Sequence, residues 1–98
     1  MPNQSVTLLA TMEARPDCAD KMCAALTDAR AASRAEDGCV IYELMVDGTH
    51  HNFLVFERWR DKAAFRAHQS SAHLAETAQR LEPLLARPPE FVPWRMVS

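Results

Sequence analysis

The hydrophobic period switches repeatedly along this chain, and the order of the switches leaves few ways to fold it. Residues 5 to 14 alternate, with Val6, Leu8, Ala10 and Met12 on one face and Thr7, Leu9, Thr11 and Glu13 on the other. That period of two is the signature of a strand. Beyond Pro16-Asp17 the spacing lengthens, and Met22, Leu26, Ala29 and Ser33 recur three or four residues apart. This is one face of a helix, with Asp17 as the expected N-cap and Asp20 complementing its first turn. Gly38 is expected to end it in the left-handed conformation. Cys39 to Asp47 returns to alternation, with Val40, Tyr42, Leu44 and Val46 sharing a face. Phe53 to Trp59 repeats the pattern beyond the polar turn Asp47–Asn52, which predicts a hairpin. Asp61 to about Gln69 reads as helix again, and Ala72 to Leu85 as a second helical piece capped by Ser70 or Ser71. Pro88-Pro89 excludes helix and leads into an extended segment, Phe91 to Val97.

The resulting order is β-α-β-β-α-β, the split βαβ of a ferredoxin-like α+β fold. It predicts one four-stranded antiparallel sheet with the helices on a single face, and residues 1–98 form one domain. The second sheet face, with Leu9, Ile41, Met45, Leu54 and Phe56, is too apolar to stand open to water. Pairing two such sheets in a homodimer covers it. A chain of 98 residues removes only about 60–65% of its unfolded surface by folding alone, so a partner copy adds useful burial.

Charge narrows the function. The net charge is −2, from 11 basic and 13 acidic residues with no basic run, which disfavours nucleic acid and anionic membrane surfaces as partners. No apolar stretch approaches the ~18 residues of a membrane span. Met1-Pro2-Asn3-Gln4-Ser5 lacks the charged start and apolar core of a signal peptide, so a cytoplasmic location is expected. Cys18, Cys23 and Cys39 are odd in number and lack Cys-x-x-Cys spacing, which reads as reduced thiols. Cys23, near the helix stripe, and Cys39, at a strand start, are expected to be small core residues. With 2 glycines in all there is no phosphate-cradling loop, dinucleotide fingerprint or nucleophile elbow. No nucleotide cofactor is expected.

The chemistry concentrates where the third strand meets the following helix. Glu57 shares a strand face with Phe53, Val55 and Trp59, and a carboxylate among large apolar groups must be hydrogen-bonded or protonated. His68 and His73 follow on the next helical pieces, and either can be its partner. One reading is a Glu–His pair tuning an imidazole as general base; the other is a pair that merely fastens helix to sheet. A spacing of five puts the two imidazoles roughly 140° apart on one continuous helix. They converge only if the Ser70-Ser71 break reorients the chain, and spacing shows no third metal ligand. No metal is therefore expected. Trp59 is either core or an indole that stacks on a flat substrate. Tyr42 places its hydroxyl in the same cavity or lies in the dimer contact. Asn52, at the start of the third strand, is a turn residue or a donor to an oxyanion. His50-His51 reads as a solvated turn, and Arg58, Arg60 and Arg66 as a charged rim.

The pattern Glu57-x-Trp59-x-Asp61-x-x-Ala64, then His68, Ser71 and His73, resembles that of the antibiotic biosynthesis monooxygenase family. The run Glu36-Asp37-Gly38-Cys39-Val40-Ile41-Tyr42-Glu43 looks like the segment that joins its first helix to its second strand. The resemblance implies a dimeric α/β barrel and, in several members, oxidation of quinols or polyketide phenols by dioxygen without any cofactor. Such chemistry asks for a base, a polar site for the substrate anion and a dry aromatic pocket. On this chain those needs fall to His68 or His73, Glu57, Asn52, Tyr42 and Trp59, with a small aromatic substrate and O2 as partners. Haem-degrading relatives place a histidine about ten residues beyond a pocket tryptophan. Here His68 takes the tryptophan's place and Ala78 stands ten residues on, which disfavours haem. A cofactor-free isomerase and a non-catalytic small-ligand-binding or stress-response barrel remain as alternatives. A cavity reached by His68 or His73 favours catalysis; one filled by Phe53, Phe65 and Leu74 favours the structural reading.

Overall fold

The computed structural model describes residues 4–97. Met1, Pro2 and Asn3, on which the reading against a signal peptide partly rests, lie outside them, as does Ser98. The elements are β1 (Val6–Glu13), α1 (Ala19–Arg34), β2 (Cys39–Val46), β3 (Asn52–Trp59), α2 (Lys62–Gln69), α3 (Ala72–Leu81) and β4 (Glu90–Trp94), with a 3-10 turn at Glu82–Leu84 between the last two. The sheet order is β2-β3-β1-β4 and every pairing is antiparallel. This is the expected ferredoxin-like arrangement.

Register decides what faces what. Val6 pairs with Trp59, Leu8 with Glu57, Ala10 with Val55 and Met12 with Phe53, and directly opposed residues share a face. That inner face meets the helices. Ala10, Met12, Phe53, Val55, Trp59 and Tyr42 are buried against Met22, Ala25 and Leu26 of α1, Ala64 of α2 and Leu81 of α3. The α1 stripe expected from spacing is buried throughout, including Ala29 and Ser33. On the outer face lie Leu9, Ile41, Leu54 and Phe56, with Met45, Val92 and Trp94 exposed. Among the described residues no helix packs on it.

Several local expectations change. The α1 N-cap is Cys18, with no side-chain cap bond, and not Asp17; Asp17 stands one residue too far from the first turn. Cys23 is exposed, because it falls between the buried positions Met22 and Leu26. Gly38 does not terminate α1, which ends in right-handed backbone at Ala35. It instead occupies φ +90 in the turn before β2, where an added Cβ would sit 2.5 Å from that of Ala64. Val40 does not share a face with Tyr42. A bulge between Cys39 and Ile41 makes it the extra residue and leaves it exposed. The second helical piece stops at Leu81, since Pro83 tightens the chain into the 3-10 turn.

Caps and turns account for the rest. Asp61 caps α2 by accepting from the Ala64 N–H at 2.8 Å, and Ser71 caps α3 through Leu74. In the hairpin Asp47 accepts from the Thr49 N–H and hydroxyl and from the Asn52 amide, which holds its carboxyl down at about 2. The segment after α3 is tied to the end of β1 and the residues just beyond it, the Arg15 N–H donating to the Leu84 carbonyl and the Ala86 N–H to the Glu13 carbonyl.

Candidate functional site

The inner sheet face and the α2–α3 pair do not close completely. Between them lies a cavity of about 820 Å³, walled by Ala10, Met12, Val55, Phe65, Leu74 and Leu81. Its polar groups are few: Tyr42 and Glu57 on the sheet, His68, Gln69 and Thr77 on the helices, and Arg15, Glu82 and Arg87 toward the C-terminal segment. An apolar chamber with a small number of convergent polar groups is the usual form of a small-molecule site. Phe65 and Leu74 line it without filling it.

Glu57 is 5% exposed. Its Oε1 accepts from the indole N–H of Trp59 at 2.9 Å and stands 3.7 Å from His68 Nε2. Burial pushes the Glu57 carboxyl up from its ordinary 4.5, with the Trp59 N–H and the His68 charge opposing. Trp59 is fully buried, and its ring stacks on that of His68 with centroids 4.3 Å apart. Tyr42 pairs directly with Glu57 across β2–β3 and meets His68 edge-on at 6.3 Å. Burial and the neighbouring Glu57 push its phenol up to about 12, so it stays a neutral hydroxyl at the cavity wall.

The other side of His68 faces a carboxylate that spacing did not reveal. Glu36, in the turn between α1 and β2, places Oε2 2.7 Å from His68 Nδ1 and 2.8 Å from His73 Nε2. Nδ1 of His68 is thus engaged by Glu36, and Nε2 lies on the Glu57 side of the ring. The Ser70-Ser71 joint makes this convergence possible. The Ser71 hydroxyl donates to the His68 carbonyl at 2.6 Å while capping α3, so the chain changes direction between the two histidines. Their rings end 5.7 Å apart. Among the described residues, Glu36, His68 and His73 are a group whose donor atoms lie close enough to hold a metal ion, within 4.8 Å of one another. The third potential donor that spacing did not show is Glu36. No local pattern marks a carboxylate in a turn, and only the packing of that turn on α2 brings it in.

Of the residues singled out from sequence, His68, Glu57 and Tyr42 meet at the cavity wall. His73 joins them through Glu36, behind the wall. Trp59 lies outside the lining; it is seated behind His68 and spends its N–H on Glu57, so it acts on the chamber only through those two. Asn52 is not part of this cluster. It is exposed, its amide donates to Asp47, and it borders a smaller hollow of about 480 Å³ at the other end of the sheet. Five residues of strand separate it from Glu57, roughly 17 Å. Arg15, Leu81 and Arg87, absent from the sequence argument, complete the walls because the C-terminal turn folds back onto β1.

Comparison with known proteins agrees with the fold. The family model described as antibiotic biosynthesis monooxygenase matches residues 5–80. Rv0793 of Mycobacterium tuberculosis, whose name makes it a candidate monooxygenase, is 32% identical over 83 residues, 85% of this chain and 82% of that one. Its solved structure superposes with a TM-score of 0.90 over 96% of both chains at 29% identity. The crystal structure of PA3566 from Pseudomonas aeruginosa is 33% identical, covers 97% of this chain and 96% of its own, and gives a TM-score of 0.89. An uncharacterised protein of Synechocystis, sll1783, is 31% identical over 88% of this chain, which spans 59% of that longer protein.

Proposed function

We propose, starting from the fact that this chain belongs to the antibiotic biosynthesis monooxygenase family, that it is a cofactor-independent monooxygenase acting on a quinol-like or phenolic small molecule with dioxygen. The observation that carries the reading is the orientation of His68. Its Nδ1 is committed to Glu36 at 2.7 Å, Nε2 stands 3.7 Å from Glu57 Oε1, and both residues line the apolar cavity. An imidazole with one nitrogen engaged by a carboxylate, at the wall of an apolar chamber, is the arrangement of a general base.

In this reading Nε2 takes the proton of a substrate hydroxyl. The Tyr42 hydroxyl, neutral at physiological pH, and the Glu57 carboxyl, when protonated, donate to the phenolate oxygen. The phenolate is the electron source. It passes electrons to O2, and the ring carbon bonds to oxygen as a peroxide. Loss of the proton on that carbon, with cleavage of the O–O bond, leaves the quinone carbonyl and releases one water. One oxygen atom enters the product and the other the water, and the substrate supplies all the electrons. The apolar walls keep the anion and the peroxide away from bulk water.

The protein works as a homodimer in the cytoplasm on this proposal. Support for the dimer is the uncovered outer sheet face, with Leu9, Ile41, Leu54 and Phe56 beside exposed Met45 and Val92, a patch of the kind that marks an interface. No helix of the described residues is long and apolar enough to cross a membrane.

The test is oxygen uptake by chelator-treated protein against hydroquinones, naphthols and anthrones. Uptake above the protein-free rate, with no flavin, nicotinamide or metal added, supports the assignment and identifies the substrate class. Absence of uptake across the panel overturns it and turns attention to a cofactor-free isomerase or a binding module.

A further inference from the structure

We propose that Glu36, His68 and His73 form a binding site for one divalent transition-metal ion of the zinc class. The three donors come from three separate elements: the α1–β2 turn, the last turn of α2 and the first turn of α3. Their donor atoms nevertheless lie within 4.8 Å of one another, and Glu36 Oε2 is within 2.8 Å of both imidazole nitrogens. Two imidazoles and one carboxylate are the donor set of three-ligand zinc sites and of open-sided iron sites.

Metal–ligand lengths of about 2.0–2.2 Å set neighbouring donors roughly 3 Å or slightly more apart. Binding an ion requires the Glu36 carboxylate to draw back from 2.7–2.8 Å and the two imidazole nitrogens, no more than 4.8 Å apart, to settle at the same separation. Glu36 and His73 side chains are 19% and 27% exposed while His68 is 4% exposed. The site thus has an anchored inner ligand and an outer side through which the ion and a water ligand can come and go.

The far side of the His68 ring faces a carboxylate, whereas the buried Nδ1 of His73 has no hydrogen-bond partner among the described residues. A metal-binding histidine commonly points its other ring nitrogen at a carboxylate. Here His68 Nε2 stands 3.7 Å from Glu57 Oε1, which the Trp59 indole holds in place. Magnesium and calcium prefer all-oxygen shells, so they are excluded by the two nitrogens.

Metal on Nδ1 displaces any proton shared with Glu36, and the neutral ring then carries its proton on Nε2. The loaded form has no free lone pair on the His68 ring and is silent in the reaction described above. This consequence rests on the proposed function; the binding does not.

The experiment is calorimetric titration of the chelator-treated full chain with Zn(II), alongside Co(II) titration followed by its visible absorption. The hairpin histidines are first removed in a His50→Ala/His51→Ala background. One ion per chain is expected in that background. Glu57→Gln should weaken binding by roughly 10–100-fold, and Glu36→Gln or His73→Gln by at least as much. His73 is partly exposed, so its variant serves if Glu36→Gln does not fold. Binding that disappears with the hairpin histidines, or that survives both ligand substitutions unchanged, overturns the proposal, as does the absence of a one-to-one complex. Since no turnover is read, this failure is separate from failure of the monooxygenase assignment.

Discussion

The indole N–H of Trp59 donates to Glu57 Oε1 at 2.9 Å, a bond between next-but-one residues of a single strand. It satisfies a buried carboxylate whose cross-strand neighbours are Leu8 and Tyr42. Replacing Trp59 with Phe deletes the donor and leaves a cavity at a fully buried position, which should cost at least about 1–3 kcal/mol. The Glu57 carboxyl, already raised from 4.5 by burial, should rise further. Between 4.5 and its folded value the native state holds more proton than the unfolded one, so stability falls as pH rises through that window. Chemical denaturation across the window should show the fall extending to higher pH in Trp59→Phe; an unchanged profile would mean the bond is inconsequential.

His68 and His73 share Glu36 but not the cavity. His68→Ala should lower kcat by roughly 10²–10⁴-fold, and His73→Ala by clearly less, with both proteins folded. Oxygen-uptake rates on the first substrate identified give the comparison. Equal losses in the two variants contradict the assignment of His68 as the base, and two fully active variants remove imidazole catalysis altogether.

Gly38 holds φ +90 and leaves no room for a Cβ, which would lie 2.5 Å from Ala64 Cβ at the start of α2. Gly38→Ala should destabilise by at least about 1–3 kcal/mol and push α2, with His68, away from the sheet. A thermal melt within a degree of the parent protein would show that the turn and α2 can separate freely.

His51 places Nδ1 2.8 Å from the Thr49 carbonyl and Nε2 3.1 Å from the Pro16 carbonyl. Only the protonated ring donates to both, and these carbonyls raise it above 6.5. A raised base contributes stability that is fully present below its unfolded value and is lost as pH rises through the folded one. His51→Gln should therefore flatten the stability profile just above pH 6.5, read by denaturant midpoints. A slope identical to the parent's in that range would refute the coupling of hairpin to β1–α1 loop.

Leu54 lies on the outer sheet face, opposite Thr11 of β1 and Met45 of β2. Leu54→Glu should convert a dimer to a monomer in sedimentation equilibrium without disturbing the inner face. Should the parent itself sediment as a monomer, the paired-sheet arrangement is wrong.

Much of this molecule is readable from one sequence because it depends on local periods. Alternation in β1 and β3 and the three-four spacing of Met22, Leu26, Ala29 and Ser33 dictate strands, helix and inner face, since each pattern buries its apolar set in only one geometry. Element order then restricts the sheet to the split βαβ. The Glu57–Trp59 partnership is legible in the same way, both side chains falling on one side of a strand. What no local period encodes is the meeting of groups from different elements. The bulge at Val40, the direction change at Ser71 and the close seat of Gly38 against Ala64 are properties of packing. Together they bring Glu36, 32 residues before His68, onto both imidazoles, and they leave Asn52 at the far end of β3. The sequence by itself determined the fold, the buried carboxylate and the candidate bases. Only the tertiary structure decided which carboxylate each nitrogen of His68 meets, because that choice depends on distances of a few ångströms between segments far apart in the chain.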